Sequence, residues 1–131
     1  MSGFDLRIVT PYKLFFDDRV EGIIVRTTEG EMMVLRDHID FVSILKIGKA
    51  TIKQNGQYRE ITLAGGLLQV TKEHVTIISH AAEFVDEIDL KRAEEARDRL
   101  EKRIKESKEP VELELLEFKL RKSINRISAK N

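Results

Sequence analysis

The period of the hydrophobic pattern changes once along this chain, and that change limits its possible folds more than any other feature. In "FDLRIVT", Phe4, Leu6 and Ile8 alternate with Asp5 and Arg7, the period of two that marks a strand covered on one face. The alternation recurs as far as Val85. Within "TIKQNGQYREITL", Asn55-Gly56 separates two such runs and predicts a hairpin, because a type I′ turn needs positive φ at both central residues. Gly65-Gly66 and Lys72-Glu73 read as further turns, and "VTIISHAAEFV" as a last apolar strand. The pattern predicts roughly seven to ten short strands before residue 86, closed into an antiparallel sandwich or flattened barrel.

Beyond Val85 the spacing becomes three and four. Leu90, Ala93, Ala96, Leu100 and Ile104 line one side of a helix, with Asp89 as its N-cap. "ESKEP" interrupts the pattern. Pro110 suits a first helical position, and Leu113, Leu116, Leu120, Ile124 and Ile127 form the stripe of a second helix. A short loop between two single-seamed helices implies an antiparallel hairpin. The fold class is therefore α+β: an antiparallel β-sandwich over residues 1–86, then an antiparallel two-helix hairpin over 87–131. Seams this narrow hold the helices to each other and leave little to fix the pair elsewhere, so the hairpin is the part expected to move.

Length and charge exclude much else. A chain of 131 residues supports one core, and without cysteine it has neither disulfides nor thiolate metal sites, which points to an intracellular protein. No apolar run reaches membrane-spanning length, and "MSGFDLR" meets a charge too early for a signal peptide, so any membrane contact runs through a partner. Lys plus Arg equals Asp plus Glu at 23 each, which argues against nucleic acid as a partner. Residues 87–131 nevertheless carry 13 basic and 11 acidic side chains. No nucleophile with a base, no metal cluster and no phosphate loop is present. His38, His74 and His80 are scattered, and Gly65-Gly66 lacks the following Lys-Ser/Thr of a phosphate loop, so the pair marks a turn or a close packing point. The reading is of a non-enzyme with no catalytic or metal-binding residues and no required cofactor.

Charge is ordered within the hairpin. At about 100° per residue, Arg92, Arg99 and Arg103 share a narrow sector of the first helix. A cation in a first turn opposes the helix macrodipole, so Arg92 invites an anion. Arginines clustered between two helices can grip phosphate oxygens bidentately. The bland alternative is a solvated face laced by the pairs Glu95–Arg99 and Asp98–Lys102. In the second helix the acidic residues come early, while Lys119, Arg121, Lys122, Arg126 and Lys130 come late, an order that complements the dipole.

The strings "LRIVTP", "TTEGEM", "LAGGLLQV", "VTI" and "EIDLKRAEEA", in this order, resemble the epsilon subunits of F-type ATP synthases over almost the whole chain. The family usually has Leu-Pro-Gly-His-Ala-Pro around its histidine. Here "LRDHIDF" puts Arg36 and Asp37 before His38, which makes the loop more charged and less rigid and puts that loop's family contacts in doubt.

The resemblance implies a rotor subunit of the central stalk, whose sandwich clamps the gamma subunit and rests on the ring of c subunits, with Glu31 and His38 facing that ring. Taken alone, Glu31 also reads as a solvated turn residue. The resemblance further implies a hairpin that folds back or extends toward the alpha and beta subunits to inhibit ATP hydrolysis through its basic face, Lys119, Arg121, Lys122 and Arg126. Regulatory ATP would be held by the pattern Ile88, Asp89, Arg92 and Ala93, with Glu83, Lys122 and Arg126. A lysine at position 122, where known binders carry arginine, loses the bidentate fork and weakens such a site. The implied location is peripheral, on the cytoplasmic face of the cell membrane. A free-standing nucleotide-sensing adaptor of like architecture is the alternative.

Overall fold

The computed structural model describes residues 3–35, 39–72 and 74–130, and it divides into two compact units, Met1–Phe84 and Val85–Asn131. The loop around His38 and the turn position Glu73 lie outside the described residues.

The described residues of the first unit form eight strands: β1 (Phe4–Val9), β2 (Leu14–Val20), β3 (Gly22–Thr27), β4 (Gly30–Leu35), β5 (Phe41–Gln54), β6 (Gln57–Val70), β7 (His74–Ile78) and β8 (Ala82–Phe84). They follow the order β2-β1-β7-β6-β5-β3-β4, with β8 on β6. One pairing departs from the antiparallel expectation: β1 and β7 run parallel, from Asp5 opposite His74 to Val9 opposite Ile78. The core fills from the alternating faces, with Phe4, Leu6 and Ile8 of β1 buried against Leu68, Val75 and Ile77 among others.

Asn55 and Gly56 have φ of 53° and 74° and close the β5–β6 hairpin between Gln54 and Gln57, as a type I′ turn requires. The Gln54 amide donates to Asp18 Oδ2 at 3.0 Å and to the Arg19 carbonyl at 2.8 Å, while Glu21 Oε1 accepts the Gly56 N–H at 2.8 Å. These bonds fasten the hairpin tip to the β2–β3 corner.

Gly65-Gly66 is not a turn. Both glycines lie inside β6, with φ of 73° and 131°. Before them the core-facing residues are Ile61 and Leu63; after them they are Leu68 and Val70. The parity inverts in β5 as well, from Leu45 to Ala50 and Ile52. Accordingly β6 pairs with β8 at Ile61–Leu63 and with β7 at Leu67–Val70. A strand that serves both layers of a sandwich must turn a corner, and glycine supplies the backbone freedom to do so.

The second unit opens with a single 3₁₀ turn, Val85–Glu87, followed by α1 (Leu90–Glu106) and α2 (Pro110–Lys130). Asp89 caps α1, its carboxylate accepting the Arg92 N–H at 3.2 Å, and Pro110 begins α2. The α2 seam differs from expectation at one place. Leu113, Leu116, Leu120 and Ile127 are covered, but Ile124 is 47% exposed and Ser123 is buried instead. Ser123 and the fully buried Ala93 of α1 are small, and small residues at a crossing let helices approach closely. Among the described residues no helix is long and apolar enough to cross a membrane.

Candidate functional site

Four strands of the first unit carry neighbouring apolar pairs: Ile8-Val9, Ile44-Leu45, Leu67-Leu68 and Ile77-Ile78. On a strand only one member of such a pair can face the core. Ile8, Leu45, Leu68 and Ile77 are buried, so their neighbours point outward. Register then aligns them: Leu14 opposes Val9, Val9 opposes Ile78, Ile78 opposes Leu67, and Leu67 opposes Ile44. The result is one apolar row across five strands, with Leu14 51%, Ile78 50%, Leu67 38% and Ile44 60% exposed. Beside it Val9, Pro11, Gly66, Leu67 and Ile78 line an open cleft of about 500 Å³. A contiguous apolar row of this kind marks an interaction surface. The sequence reading missed it, although the doublets were its signal.

Glu31 stands at the same end of the sandwich. The buried Thr27 hydroxyl donates to the Gly30 carbonyl at 2.9 Å and accepts the Glu29 N–H at 3.1 Å, so the β3–β4 turn is held from within. The Thr28 N–H donates to the Ile44 carbonyl at 3.1 Å, which joins that turn to the end of the apolar row. Glu31 itself is exposed, opposite Arg26. His38 lies outside the described residues.

The residues expected to meet ATP divide between the units. Glu83 belongs to β8, where its carbonyl accepts the Thr62 hydroxyl at 3.4 Å. The other six lie in the second unit, and the antiparallel hairpin brings them into one half of it. Arg103 pairs with Glu112 at 3.6 Å near the loop, and Lys130 reaches the Val85 carbonyl at 3.3 Å at the open end.

Their chemistry within that half is uneven. Ile88 and Ala93 are buried and serve packing. The Asp89 carboxylate is engaged by the cap, and Arg92 is exposed. Arg126 is half-buried. Burial, and then the charges of Lys119 and Arg126, lower the Lys122 pKa from its ordinary value. Lys122 Nζ also lies 5.6 Å from the centre of the Phe118 ring, and the Arg121 guanidinium 6.0 Å. Lys119 and Arg121 are exposed. Lys119, Lys122 and Arg126 therefore share enough of one side of α2 to feel one another's charge. Among the described residues, neither Glu95–Arg99 nor Asp98–Lys102 stands as an ion pair. Arg97 instead pairs with Asp98 at 3.2 Å and Glu101 at 3.9 Å.

A family model described as the beta-sandwich domain of the ATP synthase Delta/Epsilon chain matches residues 3–85, and one described as the long alpha-helix domain of that chain matches residues 86–131. The ATP synthase epsilon chain of Alkaliphilus oremlandii is 49% identical over 106 residues, 81% of this chain and 79% of its own length. That of Caldicellulosiruptor saccharolyticus is 39% identical over 127 residues, 97% and 93% of the two chains. In fold, the chain is similar to one in a cryo-EM structure of the mitochondrial ATP synthase of Euglena gracilis, with a TM-score of 0.80 over 100% of this chain and 83% of that one at 22% identity.

Proposed function

The chain belongs to the ATP synthase Delta/Epsilon family, and from that membership we propose that it is the epsilon subunit of an F-type ATP synthase, a non-catalytic part of the central stalk. The observation that carries this reading is the apolar row Leu14–Val9–Ile78–Leu67–Ile44, joined at Ile44 to the turn that presents Glu31. Apolar side chains left outward in register suit a permanent protein partner, and a carboxylate on a fixed turn suits a polar one. The row docks the gamma subunit and Glu31 meets the polar loops of the c-subunit ring, so that rotation passes through a rigid sandwich. The protein is peripheral, held at the cytoplasmic face of the membrane through the complex.

The hairpin is the regulatory arm in this reading. It is a compact unit of its own, and its helices meet through a seam in which only Ala93, Leu116 and Ser123 are fully covered. Lys119, Arg121, Lys122 and Arg126 supply a basic face that meets acidic segments of the alpha and beta subunits when the arm extends. ATP held between the starts of α1 and the later half of α2 favours the folded arm. A ligand at about 100 times its dissociation constant stabilises the state it binds by about 2.7 kcal/mol, enough to move a balanced population about a hundredfold.

Two substitutions separate the parts. Ile44→Asp, on an exposed side chain, should leave the unfolding midpoint of the chain almost unchanged and abolish co-purification with the gamma subunit. Retained co-purification would sink the coupling assignment. Deleting residues 87–131 should leave assembly intact and raise ATP hydrolysis by the complex at low ATP. An unchanged rate would remove the inhibitory role.

A further inference from the structure

The late basic residues of α2 do not all do the same work. Lys130, in its last turn, places Nζ 3.3 Å from the Val85 carbonyl oxygen and 3.4 Å from that of Asp86. The ammonium donates to both. The Val85 carbonyl also accepts the Ile88 N–H at 3.2 Å, the bond that closes the 3₁₀ turn ahead of α1. A carbonyl oxygen has two lone pairs, so turn closure and the lysine use the same acceptor without competing. The contact spans 45 residues of sequence and ties the end of the second helix to the segment through which the chain enters the first.

We propose that Lys130 is a latch on the entry turn: its ammonium couples the conformation of Val85–Glu87 to the closed hairpin, and its loss favours the opened arrangement. The physical basis is the kind of acceptor. Carbonyl oxygens carry only partial charge, so a neutral side chain at position 130 cannot replace the charge-assisted bond, whereas another cation of similar reach can. The Arg103–Glu112 pair at the opposite end is an ordinary exposed ion pair, which contributes little and leaves the turn untouched. A latch at the open end acts where the helices must first part if they separate from their termini. The effect on the assembled enzyme rests on the proposed reading of the hairpin as a movable inhibitory arm; the latch itself does not.

Amide hydrogen exchange on the full chain, read by mass spectrometry, tests the latch. Lys130→Gln should speed exchange at Ile88 by about fivefold or more, since opening of this turn becomes a local event. Lys130→Arg should stay close to the parent. Arg103→Gln should act only near Ser107 and Leu113, whose N–H groups bond to Arg103 and Glu109. Unchanged exchange at Ile88 in Lys130→Gln would overturn the latch, and so would equal effects of Lys130→Gln and Arg103→Gln at the same amides. Hydrolysis by the complex carrying Lys130→Gln is then measured at low ATP. Faster exchange with lower hydrolysis supports both the latch and the inhibitory arm, while faster exchange with unchanged hydrolysis supports the latch and removes the regulatory reading.

Discussion

The Ser79 hydroxyl donates to the Gly65 carbonyl oxygen at 2.6 Å, in a buried contact at the corner where β6 passes from one layer of the sandwich to the other. The Ser79 N–H donates to the Val9 carbonyl at 3.0 Å, so one residue joins β1 to β6. Next to it, a Cβ on Gly66 would overlap the Ile78 carbonyl oxygen, and φ at Gly66 is 131°. The corner is thus held by a hydrogen bond on one side and permitted by glycine on the other.

The two residues should respond differently to the loss of one feature each. Ser79→Ala leaves a buried carbonyl short of its donor and should cost about 1–2 kcal/mol. Gly66→Ala adds both an overlap and an unfavourable backbone conformation, and should cost more than about 3 kcal/mol. Urea unfolding of the full chain measures both, and a smaller loss for Gly66→Ala would show that the corner has room.

Seam residues of α2 should separate just as clearly. Leu116 of α2 is buried, so Leu116→Ala should cost about 2–4 kcal/mol of hairpin stability. Ile124→Ser, on a half-exposed side chain, should stay within about 0.5 kcal/mol. Thermal loss of helical circular dichroism reads the difference; comparable losses would restore Ile124 to the seam.

Lys122 gives a pH dependence with a definite sign. Its pKa in the folded chain lies below the ordinary lysine value, because burial and the neighbouring Lys119 and Arg126 disfavour the charge. Between the lowered and the ordinary value the unfolded chain binds more protons, so stability rises with pH across that window. Below it the full cost of the charge remains. Lys122→Met should therefore stabilise the hairpin at neutral pH, with a gain that shrinks as pH rises through the window. Midpoints measured from neutral to alkaline pH check this, and a neutral-pH loss in Lys122→Met would contradict it.

For the nucleotide, calorimetric titration of the isolated chain with ATP, with and without magnesium, should show saturable single-site binding that the double variant Arg92→Ala, Arg126→Ala loses. Absence of heat and of any thermal shift at millimolar ATP would leave these arginines to the catalytic head and remove ATP as the regulator.

Local chemistry was legible in the sequence wherever its cause was local. Positive φ at Asn55 and Gly56, the cap on α1 by Asp89 and the start of α2 at Pro110 each depend on a few neighbouring residues, and each stands where the pattern put it. So did the change of period at Val85, because strands and helices alternate their faces differently. Ser123 was not legible. By hydrophobicity Ile124 is the better seam residue, yet the fold buries the neighbouring Ser123 and leaves Ile124 half-exposed, a choice set by the packing of the two helices and not by the stripe.

The sequence by itself determined a β unit followed by a helical hairpin, since a period of two and a period near three and a half bury different faces and cannot be exchanged. Tertiary structure alone decided which member of each apolar doublet faces outward. The inversion at Gly65-Gly66 resets the parity of β6, so Leu67 joins Ile44 and Ile78 on the surface while Leu68 enters the core. Alternation counted along a strand carries no record of that crossing. It exists only where two layers share one strand and must bury opposite faces of it.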